Sequence, residues 1–117
     1  MRRRIAILAA LPREVAPLVR DWPVCTLFER EGARLWECEV AIVVCAGMGR
    51  ERVAHALELA EARGPLHSIF SVGYAGALRS GMRIDRVYWP ATVVDAQTGE
   101  RFECKGGDGG LVTTDHV

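Results

Sequence analysis

The sequence has no surplus of either charge. Fifteen lysines and arginines are matched by fifteen aspartates and glutamates, giving a formal net charge of zero. Nucleic-acid and anionic-membrane partners normally require a basic excess, so the balance argues against both. No apolar run approaches the roughly 18 residues needed to cross a bilayer. Internal repeats and low-complexity segments are missing, and no linker is evident before residue 105. The four cysteines, Cys25, Cys38, Cys45 and Cys104, show neither C-x-x-C nor metal spacing. They read as reduced structural thiols in a cytoplasmic protein rather than as disulfides or a zinc site. Cys45, inside an apolar run, reads as a small buried hydrophobe. His55, His67 and His116 are scattered, so no metal site is in view. The phosphate-loop pattern G-x-x-x-x-G-K-[ST] is absent, and the stretch GMGRERV lacks the third glycine of a dinucleotide fingerprint. ATP and NAD are therefore poor candidates, and no cofactor is expected.

What is present suits one small domain. The 117 residues are 50% apolar, enough for a hydrophobic core. The basic start, MRRR, has the character of a signal n-region. The apolar stretch behind it runs straight into Pro12, Arg13 and Glu14 without a small-residue cleavage site, so it reads as a strand of the mature fold. That strand, Ile5–Leu11, is continuously apolar, as expected when both faces of a sheet are covered. Val15, Leu18, Val19 and Trp22 follow at helical spacing, with Pro17 predicting a kink or a short element. Thr26–Arg30 and Ala33–Val40 flank Glu31-Gly32 as a hairpin. Ala41–Ala46 is a second buried strand, and Arg50–Arg63 a helix with an apolar stripe of Val53, Ala56, Leu57 and Ala60, stopped by Gly64-Pro65. Ser68–Val72 and Arg86–Asp95 read as further strands, the latter with Pro90 marking an edge or a bulge.

Strands alternating with helices predict an α/β fold: a mostly parallel central sheet flanked by helices, with right-handed crossovers. Ligands of such sheets sit outside the carboxyl ends of the strands. Three strand ends carry chemistry-bearing residues: Glu14, Gly47–Arg50 and Gly73–Gly76. They are expected to converge on one crevice. Each feature has two readings. Gly47-Met48-Gly49 at a strand-to-helix junction either cradles an anion or makes a tight turn. Glu14 either does chemistry or stabilises the helix dipole in the first turn. Arg13 and Arg50 either bind an anion or are solvated, and Tyr74 either stacks on a ligand or packs.

Three segments, IAILAALPREV, CAGMGRERVAHALELA and SIFSVGYAGALRSGMRIDRVYWPATVVDA, resemble the nucleoside phosphorylase and methylthioadenosine–S-adenosylhomocysteine nucleosidase superfamily in order and spacing. The short central region and the ending DGGLVTTDHV resemble its hopanoid-biosynthesis-associated, phosphorylase-like branch. The resemblance implies a phosphorylase/hydrolase-like fold and cleavage of the N-glycosidic bond of a purine nucleoside by water or phosphate. On its terms Glu14 matches the glutamate that activates the attacking water. Gly47, Met48 and Gly49 match the loop beside the 5′-substituent. Gly73, Tyr74, Ala75 and Gly76 match a substrate-binding glycine-rich segment, with Tyr74 beside the nucleophile and Ala75 and Gly76 passing under the ribose and base. It implies a homo-oligomer, a purine nucleoside as the small-molecule partner, and no cofactor beyond phosphate as a possible co-substrate.

The departures are specific. Ser71 stands where the hexameric phosphorylases carry a phosphate-gripping arginine, with Arg13 or Arg50 as candidate substitutes. Tyr74 replaces a small residue of the family's G-S-A-G-G. The family's second half supplies a glutamate for the ribose hydroxyls and an aspartate that protonates the purine, and neither motif follows Val94. LVTTDHV resembles the family's A-S-G-D segment, so Asp115 is not the missing general acid. Residues 1–117 are thus expected to form a single, truncated domain with low or no activity by itself, and with exposed apolar sheet edges. The alternative is a non-catalytic nucleoside-binding or oligomerising module.

Overall fold

A computed structural model describes residues 2–114; Asp115 and His116 lie outside the described residues. The chain divides into two compact units, Met1–Ala75 and Gly76–Val117.

The first unit is built on a five-stranded sheet. Its strands are β1 (Arg4–Ala9), β2 (Val24–Phe28), β3 (Ala33–Glu37), β4 (Ala41–Cys45) and β5 (Leu66–Ser71), in the order β2-β3-β4-β1-β5. β1 pairs parallel to β4 and β5, whereas β3 pairs antiparallel to β2 and β4. The sheet is therefore mixed, which corrects the expectation of a mostly parallel one. The cause is connection length. Only residues 38–40 join β3 to β4, and a parallel crossover needs a dozen or more residues. The β2–β3 hairpin turns through a single 3₁₀ turn, Glu29–Glu31, and closes on Gly32 at φ 64°, the left-handed region that glycine enters without strain.

Alternation along the strands sends side chains to two covered faces. Ala6, Leu8, Leu35, Ile42 and Val44 pack under helix α2 (Arg50–Glu61), against its buried Ala56 and Ala60. On the other face Ala9, Trp36, Val43 and Cys45 pack with Val15 and Val19. Those two residues come from the segment that Pro17 was expected to break. It forms a 3₁₀ turn, Pro12–Glu14, and a four-residue helix, α1 (Ala16–Val19). Pro17 is accommodated in the first turn of α1, where no N–H is needed. Leu18 and Val53, expected on apolar stripes, are instead exposed. Covering both faces explains why β1 and β4 read as unbroken apolar runs. Leu35, Ile42, Val43 and Val44 are fully buried, each contributing about 1.5–3 kcal/mol.

The rim at the amino end of β1 is closed by charge. Glu37, 7% exposed, accepts from Arg4 Nη1 at 3.0 Å and from Arg63 Nη2, and Arg4 Nη2 donates to the Arg63 carbonyl at 2.9 Å. The Arg63 guanidinium, helped by Arg4, holds the Glu37 carboxyl below its usual range against the opposing effect of burial.

The second unit carries a three-stranded sheet of β6 (Thr92–Asp95), β7 (Arg101–Glu103) and β8 (Gly110–Thr113), in the order β7-β6-β8. β6 pairs antiparallel to β7 and parallel to β8. Only the last four residues of the expected strand Arg86–Asp95 join this ladder, because Pro90 has no N–H to donate. β7 and β8, three and four residues long, are too short to stand out as strands. Among the described residues no helix is long and apolar enough to cross a membrane.

Candidate active site at the carboxyl strand ends

β4, β1 and β5 lie side by side, so the loops leaving their carboxyl ends are neighbours. The backbone joins them directly. Gly47 N–H donates to the Ala10 carbonyl at 3.1 Å, and Val72 N–H donates to the Leu8 carbonyl at 3.0 Å. Pro12 starts a 3₁₀ turn immediately after β1, and that turn ends on Glu14.

The Glu14 side chain folds back toward the sheet. Its Oε1 accepts the N–H groups of Ala10 at 3.2 Å and Leu11 at 2.8 Å. This is the local bond by which a third-position glutamate caps the start of a helical turn. The other oxygen does something different. Oε2 accepts the Tyr74 N–H at 3.0 Å, across 60 residues of sequence. Gly73 makes that reach possible, since a Cβ at this position would stand 2.7 Å from Oε2. Gly73 is thus approached by the Glu14 carboxylate itself.

Four acceptor positions are available on an ionised carboxylate. Among the described residues three are taken by backbone N–H groups, and the second position on Oε2 can accept from a water or a hydroxyl group. A carboxylate fixed from both sides, with that second position to offer, is suited to orient a nucleophile and to take its proton.

Several other expected site residues fall nearby. Gly47 adopts φ 104° and Gly49 φ 97°, and Gly49 caps α2 by accepting the Val53 N–H at 3.1 Å. Met48 between them is 68% exposed. Tyr74 is 74% exposed and its hydroxyl donates to the Arg13 carbonyl at 3.4 Å, so its ring does not pack in the core. The Arg13 side chain is exposed, and Arg50 is the exposed first residue of α2. Ala75 ends the first compact unit and Gly76 opens the second. A Cβ on Gly76 would meet nothing within 4 Å among the described residues.

The sequence left one part of the site unmarked. A pocket of about 370 Å³ opens beside Ala10 and Leu11, walled by Leu27, Phe28 and Arg34 of the hairpin and by Gly47. Glu14 does not line it, but the two residues whose N–H groups hold Glu14 do. Phe28 and Arg34 carry no signal in isolation, and only the antiparallel pairing of β3 with β4 brings them here. Arg34 also lies over the Trp36 ring, 5.7 Å from its centroid. Cys45 lines the same pocket, with its thiol pushed up to about 11, by burial first and by the Glu14 charge second. It stays protonated at neutral pH and is not a nucleophile.

The family model of the phosphorylase superfamily matches residues 4–114, nearly the whole chain and both compact units. The chain belongs to the phosphorylase superfamily. Membership supports a function of the nucleoside phosphorylase or nucleosidase type, and the segments that carry the resemblance all lie within the matched range. Among curated proteins no match is found. As a phosphorylase-superfamily chain, it places its N-terminal glutamate and its two glycine loops on one rim of the sheet.

Proposed function

We propose that the site cleaves the N-glycosidic bond of a purine nucleoside of the methylthioadenosine or adenosylhomocysteine type. The observation that carries this reading is the Glu14 carboxylate, held by the N–H groups of Ala10, Leu11 and Tyr74 between two strand-end loops. Glu14 takes a proton from the attacking water, or orients phosphate, as positive charge develops on the ribose. Gly47, Met48 and Gly49 form one wall, with Met48 toward the 5′-substituent. Gly73, Tyr74, Ala75 and Gly76 form the floor under sugar and base, and Tyr74 narrows the nucleophile's space. Arg13 and Arg50 are the candidates for an anion. No cofactor takes part, and phosphate enters only as co-substrate.

The two compact units belong to one nucleoside phosphorylase-like domain in this reading, supported by the single family match that spans both. The protein works in the cytoplasm on a small molecule rather than on nucleic acid, consistent with its zero net charge. The carboxylates that the resemblance assigns to the ribose hydroxyls and the leaving purine have no match in the sequence, so turnover by these residues alone is low.

The test is purine release from methylthioadenosine, adenosylhomocysteine, adenosine and inosine, with and without phosphate. Release that is abolished by E14Q supports the reading, and its phosphate dependence separates phosphorolysis from hydrolysis. Tight binding of all four nucleosides with no release, equal in E14Q and wild type, would instead support a non-catalytic module. That second reading is favoured by Leu78, Ile84 and Val87, which are 86%, 105% and 91% exposed. Three large apolar side chains exposed within ten residues of one loop segment are the composition from which an association surface is built. It predicts a homo-oligomer in sizing experiments.

A further inference from the structure

The loop after β4 and the 3₁₀ turn of the β2–β3 hairpin both contribute to the pocket lining, through Gly47 on one side and Glu29 and Gly32 on the other, and neither belongs to a strand. Arg52, in the first turn of α2, reaches both. Its Nε–H donates to the carbonyl of Ala46, just beyond β4, and its Nη2–H donates to the carbonyl of Glu31, at the end of the hairpin turn. Both carbonyls lie outside the ladders of the strands beside them, so neither has a sheet partner there. The side chain runs along two glycines. A Cβ on Gly47 would meet Arg52 Cγ and Nε at 3.5 Å, and one on Gly32 would meet Nη2 at 3.3 Å. Both glycines hold positive φ and both line the pocket. A second tie runs in parallel, from His55 Nε2 on α2 to Glu31 Oε2 at 3.2 Å.

We infer that Arg52 is a positioning residue that sets the width of the pocket by stapling the Ala46–Gly49 loop to the Glu29–Gly32 turn. It touches no reacting atom and acts through the backbone at Gly47 and Gly32. A guanidinium suits the task because it offers donors along two directions of one rigid plane. The ammonium of a lysine is a point charge on a flexible stem, and cannot hold two divergent carbonyls with the same geometry. This role rests on the pocket being the nucleoside site, but the staple itself does not.

The experiment separates the two claims by comparing R52Q and R52K with the wild-type chain. Amide hydrogen exchange is read at Gly47, Gly32, Ile42 and Val44, and purine release from methylthioadenosine is read as KM and kcat. The expected result for R52Q is exchange about tenfold faster or more at Gly47 and Gly32, the scale of losing one charged hydrogen bond. Exchange at Ile42 and Val44 should be unchanged. KM should rise about tenfold with kcat within about twofold, and R52K should recover only part of either change. Equal loss of protection at all four amides would mean a merely structural arginine and overturn the proposal. So would full recovery by R52K, or unchanged exchange at Gly47 and Gly32. If wild type releases purine and R52Q leaves KM unchanged while Gly47 and Gly32 respond as expected, the staple stands and the pocket is not the nucleoside site.

Discussion

Gly73→Ala tests whether the Glu14–Tyr74 contact organises the site. Gly73 does not adopt positive φ, so alanine is compatible with its backbone and the perturbation is confined to one methyl group. That methyl would sit 2.7 Å from Glu14 Oε2, where ordinary contact begins at 3.4 Å, so the oxygen must retreat by about 0.7 Å. The same oxygen accepts the Tyr74 N–H at 3.0 Å, and a retreat of that size stretches the bond beyond useful length. Hydrogen bonds to a charged acceptor contribute about 1.5–3 kcal/mol, but Tyr74 is solvent-exposed, so about 1 kcal/mol is the reasonable figure here. Glycine-to-alanine replacement also stabilises by about 0.4–1 kcal/mol through the unfolded chain, which would mask the loss in a single variant. The assay is therefore a double-mutant cycle in denaturant: wild type, G73A, E14A and G73A/E14A. The unfolded-state term cancels in the cycle, leaving a coupling of about 1 kcal/mol between the two positions. The same G73A change should slow purine release about tenfold, because Oε2 is the oxygen with that second acceptor position. If G73A has the same effect on stability with and without Glu14, the carboxylate does not occupy the space that Gly73 leaves open, and the reasoning fails.

Three further outcomes follow from the packing. Replacing Glu37 with alanine should cost about 3 kcal/mol, because Arg4 and Arg63 lose their shared carboxylate on a partly buried rim. Glu37 is held below its usual 4.5, so its stabilisation is fully present above that pH and is lost as pH falls through the lower folded value. Denaturant melts of wild type and E37Q should therefore converge in acid, and parallel curves down to pH 2 would count against the network. Truncating Leu35, fully buried against the α2 face, should cost about 2–5 kcal/mol in the same melts. Cys45 should resist thiol reagents in the folded chain while the exposed Cys25 reacts. Its raised value leaves stability intact below pH 9 and removes it between 9 and about 11, a loss that C45A should abolish.

Local order was largely legible in the sequence. Continuous apolar runs at β1 and β4 report that both sheet faces are covered, since a half-covered strand would alternate. Pro17 announces the short α1, and Glu31-Gly32 the hairpin, because proline and glycine act on the backbone at their own positions. The convergence of Glu14, Gly47 and Gly73 on one rim was also legible, as parallel strands place their carboxyl ends together.

Tertiary structure alone decided the rest. The strand order β2-β3-β4-β1-β5 follows from which strands pair, since β1 inserts between β4 and β5, far from both in sequence, and no local preference selects those neighbours. The strands β7 and β8 exist through their pairing with β6, and their own composition does not ask for them. In the site, the sequence put Gly73 at a chemistry-bearing strand end, but the Glu14 carboxylate that fills the space beside it and bonds the Tyr74 N–H lies 60 residues from Tyr74, and no spacing rule connects them. Leu27, Phe28, Arg34 and Arg52 reach the same rim only after the hairpin folds beside β4 and α2 crosses the sheet. Backbone geometry is a local property and can be read from residue type. Which side chain fills the space beside a given glycine depends on long-range packing, and that is settled only when the chain closes on itself.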